Sequence, residues 1–256
     1  MQEVMRSQLK PEIQVFANPE TLTQTAAAEF VRQADQAIQA RGRFTIALSG
    51  GSTPKSLYAL LATQPWRSRI LWNQVHLFWG DERHVPPSDP SSNFRMTQER
   101  LLFQVPIPQE NVHRIKAENP DAKVAAAEYE QNLKQFFELG EHQFPRFDLV
   151  LLGMGSNGHT ASLFPGTDAV REQTRLVVAS WIEELNSYRI TLTPPVLNNA
   201  ACVIFFVTGS EKATMLKTVL EGQYQPDRLP AQIIRPTQGK VVWMVDQAAA
   251  SSLSPN

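Results

Sequence analysis

One histidine of this sequence stands where it could act as a base. His159 lies in the run Gly153-Met154-Gly155-Ser156-Asn157-Gly158-His159-Thr160-Ala161-Ser162-Leu163-Phe164-Pro165-Gly166, directly after the apolar stretch Phe147 to Leu152. An imidazole titrates near neutral pH, and on a glycine-bounded loop at a strand end it can reach a ligand. The first six residues of the run also fit G-x-G-x-x-G. That fingerprint needs a full helix behind it and an acid at the end of a second strand about 20 residues on. Here Pro165-Gly166 interrupts the chain first, and no such acid follows. A serine nucleophile is disfavoured too, because Met154 stands where a G-x-S-x-G elbow around Ser156 would need glycine. The other histidines, His76, His84, His113 and His142, have no metal-ligand spacing, and neither C-x-x-C nor H-E-x-x-H occurs.

Two further segments could hold an anion. Ser49-Gly50-Gly51-Ser52-Thr53-Pro54 follows the apolar run Phe44 to Leu48. Free backbone N–H groups at such a turn, with the dipole of the following helix, attract a phosphate. Thr53 is expected as the N-cap and Pro54 as the first helical residue. Val207-Thr208-Gly209-Ser210-Glu211-Lys212 reads as a strand, a turn and a helix start, and Lys212 there suits a phosphate as a point charge. A third polar segment, Gly80-Asp81-Glu82-Arg83-His84-Val85-Pro86-Pro87, follows Val75 to Trp79. By composition alone it reads as a solvated turn with local ion pairs.

The elements that must position these residues alternate. Strands are expected at Ile13 to Phe16, Phe44 to Leu48, Val75 to Trp79, Phe147 to Leu152, Arg189 to Leu192, Cys202 to Val207 and Val241 to Val245. Helices are expected at Thr23 to Arg41, Pro54 to Ala62, Asn93 to Leu102, Ala122 to Phe137 and Glu211 to Leu220. Such alternation predicts an α/β fold, Rossmann-like, with a mainly parallel sheet and helices on both faces. Ligands of such folds gather at the carboxyl ends of the strands. The 256 residues read as a single domain, with residues 1 to 12 and 251 to 256 as frayed ends.

Composition narrows the partners. The chain is 42% hydrophobic and 19% charged, which argues against disorder. With 24 basic and 25 acidic residues the formal net charge is -1, so no general field favours nucleic acid or an anionic membrane. The single cysteine, Cys202, cannot form an internal disulfide and is expected as a buried hydrophobe. Met1 to Lys10 lack the apolar core of a signal peptide, and no run approaches the ~18 apolar residues of a membrane span. The expected location is the cytoplasm and the expected state a monomer.

Taken in order, the segments ALSGGSTPKSLY (47–58), FWGDERHVPPSDPSSNFRM (78–96), FDLVLLGMGSNGHTASLFPG (147–166), RITLTPPVLNNA (189–200) and VTGSEKA (207–213) resemble the 6-phosphogluconolactonase family, part of the larger group that includes glucosamine-6-phosphate deaminase. The second and third segments are the specific ones. The resemblance implies a lactonase that opens 6-phosphogluconolactone without metal or cofactor. It implies that Ser49, Gly50, Gly51, Ser52, Thr53 and Lys212 grip the substrate phosphate, that Arg83 lies in the site and that His159 is the base. Asp81 is expected to orient sugar hydroxyls or the histidine, Asn157 and Gly158 to line the site, and Arg189 to add a cation. The family motif has aspartate before Gly-His where this chain has Asn157, which accepts a hydrogen bond but offers no full charge. Two other readings stay open: an amino-sugar-phosphate deaminase or isomerase with Asp81 as base, and a non-catalytic sugar-phosphate binding module.

Overall fold

In the computed structural model, residues 11–255 are described. The expected features of residues 1–10 lie outside them. Strand β1 (Glu12–Phe16) already begins at Glu12, opposite Val242, so residue 12 belongs to the sheet rather than to a frayed end. Asn18 starts α1 (Pro19–Arg41). Its side chain accepts the Thr21 N–H at 2.9 Å while the Thr21 hydroxyl faces the Asn18 N–H, a capping box that opens the helix ahead of Thr23.

The main sheet combines β1 with β2 (Phe44–Leu48), β3 (Val75–Trp79), β5 (Val112–His113), β6 (Leu149–Gly153), β9 (Cys202–Val207) and β10 (Lys240–Asp246). Its order is β1-β10-β9-β6-β2-β3-β5, and every pairing is parallel. All residues of β2 and β9 are buried, as strands covered on both faces by helices must be. Phe30, Phe44, Trp79, Phe147 and Phe205 are among the largest fully buried side chains. Cys202 is buried, and burial raises its thiol to about 11.

A second, antiparallel sheet joins β4 (Asp81–Arg83), β8 (Ser187–Leu192) and β7 (Val177–Ile182). The segment read as a solvated turn is therefore a short strand, with Asp81 and Glu82 buried. Helix α2 spans Ser52–Leu61, and its N-cap is Gly51, not Thr53. The expected helix from Asn93 to Leu102 is α3 (Asn93–Thr97), running on as one π-helical turn over Gln98–Leu102. Helix α4 covers Ala122–Phe136, and α5 covers Pro194–Asn198. Ser210–Lys212 form a tight 3-10 turn before α6 (Ala213–Glu221). After α7 (Gln247–Ala250) the tail is tied down: Leu253 packs on the core and the Ser254 N–H donates to Glu221 at 2.8 Å. No helix among the described residues is long and apolar enough to cross a membrane.

Candidate active site

Parallel strands all end at the same edge, so the loops after β2, β3, β6 and β9 converge there. The chain leaves β2 towards β3 on one side while β6 lies on the other. Such a reversal opens a crevice between the two strand ends. Ser49-Gly50-Gly51 and Gly153 to Gly166 border it.

Asn93, 2% exposed, fastens two of these segments together. Its Nδ2 donates to the Asp81 carbonyl at 3.0 Å and lies 3.4 Å from the Asp81 carboxylate. Its side chain also lies across Gly50, where a Cβ would stand only 2.1 Å from Asn93 Oδ1. Only glycine permits that approach. Ser49 is 5% exposed and spends its groups within the turn: its N–H and carbonyl both meet the Tyr58 hydroxyl, and its own hydroxyl donates to the Gly50 carbonyl. Ser49 shapes the turn, while Gly51 and the exposed Ser52 lie at the start of α2. The Thr53 and Thr208 hydroxyls are 3.0 Å apart, which joins the α2 start to the turn that carries Lys212.

His159 is half-buried in the loop after β6. Phe164 stacks on its ring at 4.1 Å between centroids, with 16° between planes. Gly155 lies beneath it, and a Cβ there would stand 2.1 Å from Nδ1. Asn157 Oδ1 takes the His159 backbone N–H at 3.2 Å and the ring Nδ1 at 2.6 Å. The backbone N–H can only donate, which identifies that side-chain atom as oxygen, and an oxygen acceptor requires Nδ1 to carry the proton. The neutral ring then keeps a bare lone pair on Nε2. Burial first, then the charges of Lys212, Arg189 and Arg83, pushes the imidazole down to about 4. Gly158 has φ of +79°, and its carbonyl accepts the Ala231 N–H at 2.9 Å.

The cations come from different elements. Arg83 on β4 is directly opposite Arg189 on β8, and Lys212 ends the turn after β9. Among the described residues none of the three is in an ion pair. Burial and then the adjacent Arg83 hold the Arg189 guanidinium below its ordinary value. The neighbouring acids are committed elsewhere. Asp81 accepts the Ser162 hydroxyl at 2.6 Å, and burial raises its carboxyl against that bond and the two arginines. Glu82 accepts the backbone N–H groups of Arg83, Asn93 and Phe94, each at 2.8 Å, and the Ser92 hydroxyl at 3.1 Å. A neutral base under the charge of three cations that are held in no ion pair suits an anionic substrate that needs water activated.

His159, Asn157 and Gly158 thus share one loop, Arg83 faces Arg189 across β4 and β8, and the charges of both arginines and of Lys212 bear on the imidazole. Asn93, Ser162 and Phe164 were not singled out from the sequence. Asn93 and Ser162 sit inside quoted motifs, but nothing in their spacing predicts contact with Asp81, which is 12 and 81 residues away.

Comparison with known proteins identifies the family. Residues 17–243 match the family model described as glucosamine-6-phosphate isomerases/6-phosphogluconolactonase. A 6-phosphogluconolactonase of Nostoc sp. is 41% identical, with 96% of this chain and all of the relative aligned. One from Synechocystis sp. is 40% identical at the same coverage. The solved 6-phosphogluconolactonase of Trypanosoma brucei superposes with a TM-score of 0.84 at 31% identity, covering 96% of this chain and 99% of that one. With its crevice between β2 and β6 and its match over most of its length, the chain belongs to the glucosamine-6-phosphate isomerase/6-phosphogluconolactonase family.

Proposed function

We propose that the chain is a 6-phosphogluconolactonase, hydrolysing 6-phospho-D-glucono-1,5-lactone to 6-phospho-D-gluconate in the oxidative pentose phosphate pathway. One observation carries the reading: His159 holds its proton on Nδ1 against Asn157 and is kept neutral by burial and by the charges of Lys212, Arg189 and Arg83. The full-length relatives named for this activity support it.

A δ-lactone is an activated ester and needs no covalent intermediate. Lys212 and the turn Gly50 to Thr53 take the phosphate, which orients the ring. His159 Nε2 removes a proton from water as the water oxygen attacks C1. Arg83 and Arg189 stabilise the negative charge growing on the C1 oxygen. The C1–O5 bond then breaks, and O5 takes the proton back from the imidazolium. The acid formed loses its own proton, so one lactone and one water give one sugar-acid carboxylate and one H⁺. Asp81, locked by Ser162 and Asn93, positions the loops rather than exchanging protons with substrate. We place the enzyme in the cytoplasm as a single-domain monomer working on a free small molecule, with no role for nucleic acid or membrane.

The test is hydrolysis of freshly made 6-phosphoglucono-δ-lactone, corrected for spontaneous opening, beside the unphosphorylated lactone. Turnover selective for the phosphorylated compound is expected. No rate above background removes the reading, and ammonia release from glucosamine 6-phosphate would move the chain to the deaminase branch.

A further inference from the structure

Arg83 and Arg189 occupy facing positions of an antiparallel pair. Opposed side chains there have Cβ atoms about 4.5–5.5 Å apart, and like charges so placed repel. Neither arginine has an ion-pair partner among the described residues. Arg83 donates from Nη1 to the Ser91 carbonyl, and Arg189 from Nη1 to the Ser187 hydroxyl at 3.1 Å and the Tyr188 carbonyl at 3.3 Å. Each guanidinium has five N–H donors, so most remain unspent. The nearby carboxylates of Asp81 and Glu82 act on the pair from a distance, but their oxygens are hydrogen-bonded elsewhere, Asp81 to Ser162 and Asn93, Glu82 to the first turn of α3. Two facing, half-buried cations with no carboxylate in contact are suited to an anion from outside the chain.

Resting on the lactonase reading, which gives the substrate phosphate to Lys212, this leaves the arginine pair for the C1 end. There substrate and product differ in one respect: the lactone is neutral at C1 and the product is a carboxylate. We propose that Arg83 and Arg189 form a carboxylate clamp, so that open-chain phosphorylated sugar acids, the product first among them, bind this site more tightly than the lactone and restrain turnover. The same donors that serve a passing oxyanion meet a permanent one in the product. Charge-assisted hydrogen bonds of roughly 1.5–3 kcal/mol correspond to about 10- to 100-fold in affinity.

The test compares 6-phosphogluconate with glucitol 6-phosphate, which has the same carbon chain and phosphate but an alcohol at C1. Inhibition constants are read from acid release during lactone hydrolysis, and dissociation constants by calorimetry on the same protein. The acid is expected to bind about 10- to 100-fold tighter than the alditol. The advantage should shrink as salt is raised. In Arg189→Met it should fall towards one while the alditol constant stays put. Equal constants for acid and alditol in the wild-type protein, or an undiminished ratio in Arg189→Met, would overturn the clamp. The wild-type comparison decides even if that variant fails to fold. Absent lactone turnover with the affinity ratio intact would instead remove the lactonase reading and leave the clamp standing.

Discussion

The Nδ1 of His159 lies 2.6 Å from the Oδ1 of Asn157, and this contact sets the protonation of the ring before any substrate arrives. The asparagine fixes the tautomer through its carbonyl oxygen but adds no charge to balance an imidazolium. With Lys212, Arg189 and Arg83 acting on the same ring, the neutral form persists down to about 4. NMR titration of the free protein should find no His159 midpoint near the ordinary value of about 6.5. Asn157→Asp sets a carboxylate against the Nδ1 proton, and a close opposite charge moves a pKa by about 1–3 units, here upward. The acid limb of turnover should move up with it. A wild-type midpoint near that of free histidine would remove this account of the base.

Removing the ring tests its role directly. His159→Ala should lower kcat by about 100- to 10,000-fold, the usual share of a general base. Thermal unfolding at neutral pH should show the folded state intact. Turnover close to wild type would take the base away from His159.

The fastening role of Asn93 can be read through Gly50. A methyl group at Gly50 would meet Asn93 Oδ1 at 2.1 Å, so Gly50→Ala must push the turn or the asparagine aside. An approximately 1 Å displacement of a positioning group costs on the order of 100-fold, and kcat/KM should fall accordingly. Gly153→Ala, where nothing lies within 4 Å of the added carbon, serves as the control and should behave like wild type. Asn93→Ala should cost about 1–3 kcal/mol in urea unfolding, since it strips a buried bond from Asp81. Equal kinetics for the two glycine variants would sink the fastening.

Acid should weaken the fold from another place. His113 stacks on Phe78 at 4.3 Å and lies 3.3 Å from His76 through their ring nitrogens. Burial, then the His76 charge, lowers His113 to about 4. Its folded value lies below the unfolded one of 6.5, so the unfolded chain takes up the proton first. Stability is therefore full above about 6.5 and falls as pH drops towards about 4. His159 adds to the same window. His113→Phe should lose less in melting temperature between neutral pH and pH about 5 than wild type does. An equal loss would show that this pair is not the acid-sensitive element.

The main sheet was legible because its strands are short apolar runs, and Phe44–Leu48, Val75–Trp79 and Cys202–Val207 fall where periodicity puts them. The second sheet was not. Asp81-Glu82-Arg83 has no apolar alternation, and its burial comes from partners distant in sequence, Ser162 for Asp81 and the first turn of α3 for Glu82. The cap of α2 was misassigned for a similar reason: Thr53 has the right chemistry, but its hydroxyl goes to Thr208 across the crevice. His159, Lys212 and the glycine turn could be picked out because each follows an apolar run. The facing of Arg83 and Arg189 could not, since it depends on an antiparallel register that neither segment encodes alone.

Among the described residues β1 is the first strand to be made and β10 the last, yet the two pair directly. Until residues 240–246 emerge and fill the gap between them, β1 has no strand neighbour and β9 has one free side. Closure of the sheet is therefore a late event spanning nearly the whole chain, and contacts so far apart in sequence form slowly. A chain cut short before β10 would lose both pairings at once. The strand ends that carry the chemistry thus depend on a segment that contributes nothing to it, and a premature stop there would remove function while leaving every site residue translated.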